Sequence, residues 1–334
     1  MKALVTGANG FIGQHLVRCL LSRGNAVRAV VRRESSAGPL KALGAEVVLG
    51  DVTQADSLPA AVEGVDVVFH LAGLVKALRR DELFKVNEAG ARNVAETCAR
   101  QTSPPVLVLV SSLAAAGPAR QGHPRTESDP AEPVSNYGHS KRAGEVAAIE
   151  FSRDVPVTIV RPPIVFGEGD MNTWLLFQPI ARHGVHAVPG LKRRKVSLVH
   201  ADDLCEALQL AAEIGKRVQR DGDPAEGCYF VAGDQDPDYD ELGRLIGDAV
   251  GRRRVLVLRT PDWMGRCAGA ASDVISHLRG QPAIFNSDKM REASAGSWVC
   301  SSDRIRDELG FRVAQPLTDR LRQTATWYAR QGLL

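Results

Sequence analysis

The sequence of 334 residues predicts an α/β fold, a doubly wound parallel sheet followed by a smaller C-terminal α/β portion, and three observations carry that expectation. Short runs of Val, Leu, Ile and Ala alternate with helical stretches from residue 3 to about residue 165, the pattern of strands buried on both faces by crossover helices. A glycine-rich turn, Thr6-Gly7-Ala8-Asn9-Gly10-Phe11-Ile12-Gly13, stands between the first strand and the first helix. Small or polar residues end several of the later strands, and in an open parallel sheet that edge is where ligands bind.

Taken in order, Ala3–Val5 is a buried strand and Gln14–Arg23 has helical periodicity. Gly7, Gly10 and Gly13 between them permit a tight turn, close approach of the backbone to a pyrophosphate, and close helix packing. The helix N-terminus adds free amides and the positive end of its dipole. The second strand, Ala26–Val31, ends in Arg32-Arg33-Glu34. An arginine at this strand end accommodates a 2′-phosphate, whereas an acid would accept from a free ribose hydroxyl. Arg32 therefore favours NADP, and Glu34, two residues on, is the feature that favours NAD.

The third strand, Ala45–Leu49, leads into Asp51, which reads either as an adenine contact or as a turn residue. The fourth, Val65–His70, ends at Leu71-Ala72-Gly73 on the nicotinamide side of the crevice. A long helix is expected over Leu83–Arg100, carrying Asn87, before a fifth strand, Val106–Val110, that ends at Ser111-Ser112. A polar loop over 117–133 precedes a helix bearing Tyr137-Gly-His-Ser-Lys141. On a helix, residues four apart share one face, so the Lys141 ammonium can stand near the Tyr137 phenol and make it a candidate acid/base. The sixth strand, Val155–Val160, runs into Arg161-Pro162-Pro163-Ile164-Val165-Phe166-Gly167. His200 reads as a structural hydrogen-bonding residue, with Asp202-Asp203 capping a helix over Leu204–Ile214.

Composition narrows the function classes. A net charge of +3 and a single dense basic cluster, Lys192–Lys195, argue against nucleic-acid binding. The six cysteines are dispersed, with no metal-ligand spacing, so no metal is expected and a reducing, cytoplasmic setting is. No apolar run reaches the roughly 18 residues of a spanning helix, and with a strand from residue 3 secretion is not expected.

With these residues placed, the chain resembles the extended branch of the short-chain dehydrogenase/reductase family, nearest its 3β-hydroxysteroid dehydrogenase and dihydroflavonol reductase members. TGANGFIG, VSSLAAAG, YGHSK, RPPIVFG and VHADDL fall in the family's order and spacing. The resemblance implies a Rossmann-type sheet and a catalytic group of Ser112, Tyr137 and Lys141, with Tyr137 the acid/base and Lys141 lowering its pKa while holding the nicotinamide ribose. It further implies Phe11 and Ile12 at the phosphate turn, Asp51 and Val52 at the adenine, and Asn87 near the cofactor. Pro162, Ile164 and Val165 would abut the nicotinamide, with Ser111, Leu71 and Ala72 beside it.

The expected organisation is a dinucleotide-binding domain over 1–165 and a substrate-binding portion over 166–334, with segments near 196–214 and 229–232 returning to the sheet. The expected activity is interconversion of a secondary alcohol and a ketone on a fairly apolar small molecule. A sugar-nucleotide epimerase or dehydratase is the alternative, and a non-catalytic NADP-binding regulator a third. Against the sugar nucleotide, Val196 stands where such members carry an arginine, although Arg194 or Lys195 is close by. Asn172, Trp174, Phe177, His186, Trp263, Met264, Phe285, Trp298 and Cys300 are candidates for pocket lining or simply core. Family habit also implies a homodimer built through helices such as 83–100 and 136–153.

Overall fold

The computed structural model describes residues 1–120, 123–283 and 285–334, so two residues of the polar loop predicted over 117–133 lie outside the described set. Seven strands form one parallel sheet: β1 (Lys2–Thr6), β2 (Ala26–Val31), β3 (Glu46–Leu49), β4 (Val67–His70), β5 (Val106–Val110), β6 (Val157–Arg161) and, after three strands that lie elsewhere, β10 (Cys228–Phe230). Their order is β10-β6-β5-β4-β1-β2-β3. The direction of winding reverses between β1 and β4, which opens a crevice at their C-terminal ends. This is the Rossmann-type arrangement.

Successive side chains on a strand point to opposite faces, and both faces are covered here. Ala3 and Val5 of β1 join Val108 and Val110 of β5 in a core beneath helices Phe11–Ser22 and Ala201–Glu213. Leu4, Leu107 and Leu109 point the other way, into a core with Val94, Ala95 and Cys98 of helix Gly90–Ala99. Nearly continuous apolar strands are what this double burial requires.

Of the two later segments, 229–232 overlaps β10, whose Tyr229 pairs with Val160 of β6. The segment near 196–214 takes another course. Its strand β9 (Leu198–His200) pairs with β7 (Ile164–Phe166) outside the main sheet, while its helix Ala201–Glu213 lies against Phe11–Ser22 and β5. A second small parallel pair, β8 (Val185–Pro189) with β11 (Leu256–Thr260), belongs to the C-terminal portion. There Phe166, Phe177, Leu242, Leu321 and Tyr328 form a separate core between helices Trp174–His183, Tyr239–Ala249 and Leu317–Arg330.

The helix expected over 83–100 is present as one helical run from residue 80 to 99, in which Arg80–Phe84 passes through a π turn over Lys85–Ala89 into Gly90–Ala99. The widened turn has a packing cause: Gly144 of helix Asn136–Ile149 approaches so closely that a Cβ there would lie 2.2 Å from the Asn87 carbonyl oxygen.

Candidate active site

The glycine turn is shaped by backbone contacts. Gly7 has φ 69°, and a Cβ on it would sit 2.7 Å from the Ala72 amide nitrogen; a Cβ on Gly13 would fall 2.2 Å from the Gly7 carbonyl oxygen. The helix that follows is capped by Gly10 with no side-chain bond to its first amides, which leaves them for an anion. The ends of β1 and β4 are pinned together, since Thr6 Oγ1 bonds His70 Nδ1 (2.8 Å) and accepts from the Ala72 amide (3.2 Å). Burial and the nearby Lys141 charge drive the His70 imidazole down to about 3, so it is neutral.

At the end of β2, Glu34 is held by Lys41, while Arg32 is exposed and has no hydrogen-bond or ion-pair partner among the described residues. Asp51 forms a turn: its Oδ1 accepts from the Thr53 amide (2.9 Å) and hydroxyl (2.8 Å). Val52 is buried against Gly90, and its carbonyl accepts from Asn93 Nδ2 at 2.9 Å. These groups lie at the far strand ends, on the route a dinucleotide's adenosine half takes across such a sheet. The close backbone approach at Gly7 and Gly13, the uncovered helix amides and the unpaired Arg32 together fit a dinucleotide.

Ser112 ends β5 and caps the short helix Leu113–Ala116, its Oγ accepting from the Ala114 amide (3.1 Å). The same hydroxyl lies on the Tyr137 side of the site and favours the ionised phenol. Tyr137 lies in the first turn of helix Asn136–Ile149; burial pushes its phenol up, and the neighbouring Ser112 hydroxyl works against that. Lys141, one turn on, is buried and donates from Nζ to the Val110 carbonyl (2.8 Å). Burial pushes its ammonium down to about 8, with Glu145 pulling the other way. A Cβ on Gly73 would lie 3.7 Å from Lys141 Nζ, so Tyr137, Ser112, Lys141 and the end of β4 meet in one place.

Beneath them, Glu145 is fully buried and bidentate with Arg161, at 2.7 Å for both bonds, and also accepts from Arg142 (2.9 Å). Burial raises the Glu145 carboxyl, but the attraction of Arg161 and its two hydrogen bonds prevail and hold it at about 2. Asn87 spends its side chain on structure. Its Nδ2 donates to the Leu74 carbonyl (2.9 Å) and to Ser140 Oγ (2.8 Å), and its Oδ1 accepts from the Leu74 amide (2.8 Å), fixing the loop after β4 to the Tyr137 helix.

Three residues of helix Ser287–Ala295 complete the site, and nothing in the sequence reading pointed to them. Asp288 caps the Tyr137 helix from outside, its two oxygens accepting from the Asn136 (2.8 Å) and Tyr137 (3.1 Å) amides. Glu292 accepts from Ser135 Oγ (2.6 Å), itself the side-chain cap of the same helix. Lys289, largely exposed, donates to Glu292 (2.7 Å). Glu292 raises the pKa of the Tyr137 phenol and Lys289 lowers it; Lys141, expected from spacing to stand near the phenol, donates to the Val110 carbonyl. The only local signal was Asn286-Ser287-Asp288, a helix start, which says nothing about the helix it meets.

Tyr137, Ser112 and Lys141 open into a cavity of about 590 Å³, lined on one side by Phe11, Ile12, Leu71, Pro162, Ile164, Val165 and the buried Ser111. Leu74, Val75, Leu78, Leu83 and Leu113 make much of the rest apolar. Gly7, Gly10, Gly13, Arg32, Asp51, Val52, Ala72 and Asn87 lie outside it. Of the undecided residues, Asn172 and Trp298 line the cavity, Trp174, Phe177 and Cys300 pack in the interior, His186 is buried with Nε2 against the Tyr239 carbonyl, and Trp263, Met264 and Phe285 are exposed.

His200 is itself the helix cap, its Nδ1 accepting from the Asp202 amide (3.2 Å), so Asp202 and Asp203 fall inside the first turn. Asp203 is gripped by Arg320. Glu168, His200 and Asp202 bring ligand-type atoms within 4.8 Å of one another, but His15, Gln323 and Arg320 also bond this group, which ties the phosphate-turn helix to the C-terminal helix.

The profile of the NAD dependent epimerase/dehydratase family matches residues 3–222. The chain is 34% identical to the ceramide reductase of Caulobacter vibrioides over 99% of its own length and 95% of that protein. It is 32% identical to a 4-hydroxy-2-methyl-3-oxo-4-farnesyl-3,4-dihydroquinoline-1-oxide ketoreductase of Stigmatella aurantiaca, over 69% of this chain and 71% of the other. In fold it is similar to a UDP-glucose 4-epimerase from Thermotoga maritima, with TM-score 0.77, 20% identity and 99% of each chain covered. The chain belongs to the NAD dependent epimerase/dehydratase family, within the extended short-chain dehydrogenase/reductases, and is an NAD(P)-dependent enzyme.

Proposed function

We propose that this protein is an NADP-dependent reductase or dehydrogenase that interconverts a ketone and a secondary alcohol on a long, apolar molecule. The observation that carries this is the convergence of Ser112, Tyr137 and Lys141 on a mostly apolar cavity of about 590 Å³. The bound cofactor supplies or accepts the hydride at the carbon. In reduction the Tyr137 hydroxyl donates its proton to the substrate oxygen while the Ser112 hydroxyl donates a hydrogen bond to it; in oxidation Tyr137 takes the proton back. Lys141 stands at the strand end where the nicotinamide ribose would be held. The complete set of three argues against the non-catalytic reading.

Two further observations support the reading. Arg32 is exposed and unpaired while Glu34 is engaged by Lys41, so the cation at the end of β2 is the available group, as a 2′-phosphate requires. Val196, at the position of the diphosphate-binding arginine in sugar-nucleotide members, is buried, and Arg194 is buried and engaged by Asp262 (2.9 and 3.1 Å). The names of the two relatives, a ceramide reductase and a farnesyl-bearing ketoreductase, agree with a lipid-like substrate.

Calorimetry with NADP+, NAD+ and UDP-glucose tests cofactor and class together. NADP+ should bind about tenfold or more tightly than NAD+, the margin of one charge-assisted phosphate contact, and Arg32→Ala should erase that margin. Retained NAD+ with UDP-glucose binding would overturn the proposal in favour of an epimerase. Tyr137→Phe should lower ketone reduction about 10²–10⁴-fold with NADP+ affinity nearly unchanged; turnover equal to wild type would sink the mechanism.

A further inference from the structure

Helix Asp262–Arg279, 18 residues long, is built inside out for a water-soluble protein. Its buried face is made of small residues: Gly265, Gly269, Ser272 and Ser276 lie against helix Ser287–Ala295 and the segment before it, and a Cβ on Gly265 would come within 2.3 Å of Met290 Cε. Its large apolar side chains point to solvent instead. Trp263 is 62% exposed, Val274 61% and Leu278 82%, with Met264, Ile275 and, just beyond the helix, Phe285 also exposed. An apolar face of this length that is not turned inward marks an interaction surface.

Its charges identify what it meets. The acids near the face are engaged internally, Asp262 by Arg194 and Asp273 by the Ser287 amide (3.2 Å). The cations are not: Arg266, Arg279 and Lys192 are exposed and without an ion-pair partner among the described residues. Lys192 comes from the basic loop 191–195, which adjoins the start of this helix through the Arg194–Asp262 pair and carries Leu191, also exposed. A self-complementary contact between two copies would need acids opposite these cations. An anionic lipid surface supplies them. The helix is not long and apolar enough to cross a membrane, and an apolar face with basic residues at its margin is the form of a helix that lies in the interface.

The face also adjoins the cavity. Asp273 and His277 of this helix, with Asn286 and Ser287 after it, line the space into which Tyr137 opens. We propose that helix 262–279, with the basic loop 191–195, docks this protein on the surface of an anionic lipid bilayer and sets the mouth of its cavity against the membrane. Passage of an apolar substrate directly from bilayer to cavity rests on the reductase reading; the docking itself does not.

The test is co-flotation of the full chain, with NADP+ present, with phosphatidylcholine vesicles and with vesicles of phosphatidylcholine and phosphatidylglycerol. The wild type should partition onto the anionic vesicles, less so at high salt, with a blue shift of tryptophan emission that Trp263→Phe removes. Val274→Glu with Leu278→Glu should lower partition more than about tenfold while leaving NADP+ binding and the thermal midpoint unchanged. Lys192→Glu with Arg266→Glu should weaken binding to the anionic vesicles. Failure of the wild type to float with either vesicle overturns the docking, as does undiminished binding of the Val274/Leu278 variant. A solution dimer that Leu278→Glu splits into monomers would assign the face to a second copy and equally overturn it. Turnover of a detergent-dispersed ketone is measured separately, so loss of docking and failure of the reductase reading give different results.

Discussion

The helix that carries Tyr137 and Lys141 is held at two places that differ in kind. Beneath its middle, Glu145 and Arg161 form a dry bidentate pair with both side chains buried. At its N-terminal end, Asp288, Lys289 and Glu292 reach across from the C-terminal portion; Glu292 is buried there, while Asp288 is partly and Lys289 largely open to solvent. A buried ion pair inside one domain fixes a geometry, because losing either partner strands a charge. A cap made by an element from the other portion can come and go with the motion of that element. Lys141 sits over the first kind of support and Tyr137 at the second, so on the proposed mechanism the anchoring ammonium is fixed from the sheet side and the proposed acid/base from the C-terminal side.

The largest expected effect comes from the lower support. Glu145→Ala leaves Arg161 buried and unpaired and should cost about 3–5 kcal/mol of stability, read by chemical denaturation. A loss below about 1 kcal/mol would erase the contrast between the two supports. The pair also has a pH signature. The Glu145 carboxyl is held at about 2 in the fold against an ordinary 4.5, so its stabilisation is complete above pH 4.5 and is lost as pH falls through 2. Glu145→Gln should flatten the acid limb of the stability curve in that window.

The upper support should yield smaller changes in stability and clearer ones in catalysis. Asp288→Ala removes a cap and should cost about 0.5–2 kcal/mol, with turnover falling by more than NADP+ affinity does. The smallest effects sharpen the comparison most. Lys289 lowers the Tyr137 pKa and Glu292 raises it. Lys289→Met should therefore move the alkaline-rising limb of alcohol oxidation to higher pH, and Glu292→Gln should move it lower. Each shift should be under about one pH unit, because Lys289 is exposed and its field is screened. Shifts of the same sign from both variants would show that the two residues act on Tyr137 only through packing.

Much of the sheet domain was legible because its signals are local. Ala26–Val31 and Val106–Val110 were read with the bounds they have, since a strand buried on both faces must be apolar throughout. The glycine turn was legible because Gly7 and Gly13 are required by contacts within or next to the turn. The π turn inside the helix over 80–99 was not, because it lies where Gly144 of a different helix packs against the Asn87 backbone. Nor does local sequence show that Arg194, near the diphosphate-binding position, is engaged by Asp262, 68 residues on.

The sequence by itself determined the alternation of strands and helices, the glycine turn and the i, i+4 spacing of Tyr137 and Lys141, since periodicity and short spacing are properties of neighbouring residues. Tertiary structure alone decided that Lys141 faces the Val110 carbonyl, that Asp288 and Glu292 close on the Tyr137 helix, and that helix 262–279 turns its small residues inward. Each of these is a contact between elements far apart in the chain, and a hydrogen bond or close approach of that kind leaves no periodic mark on either partner's local sequence.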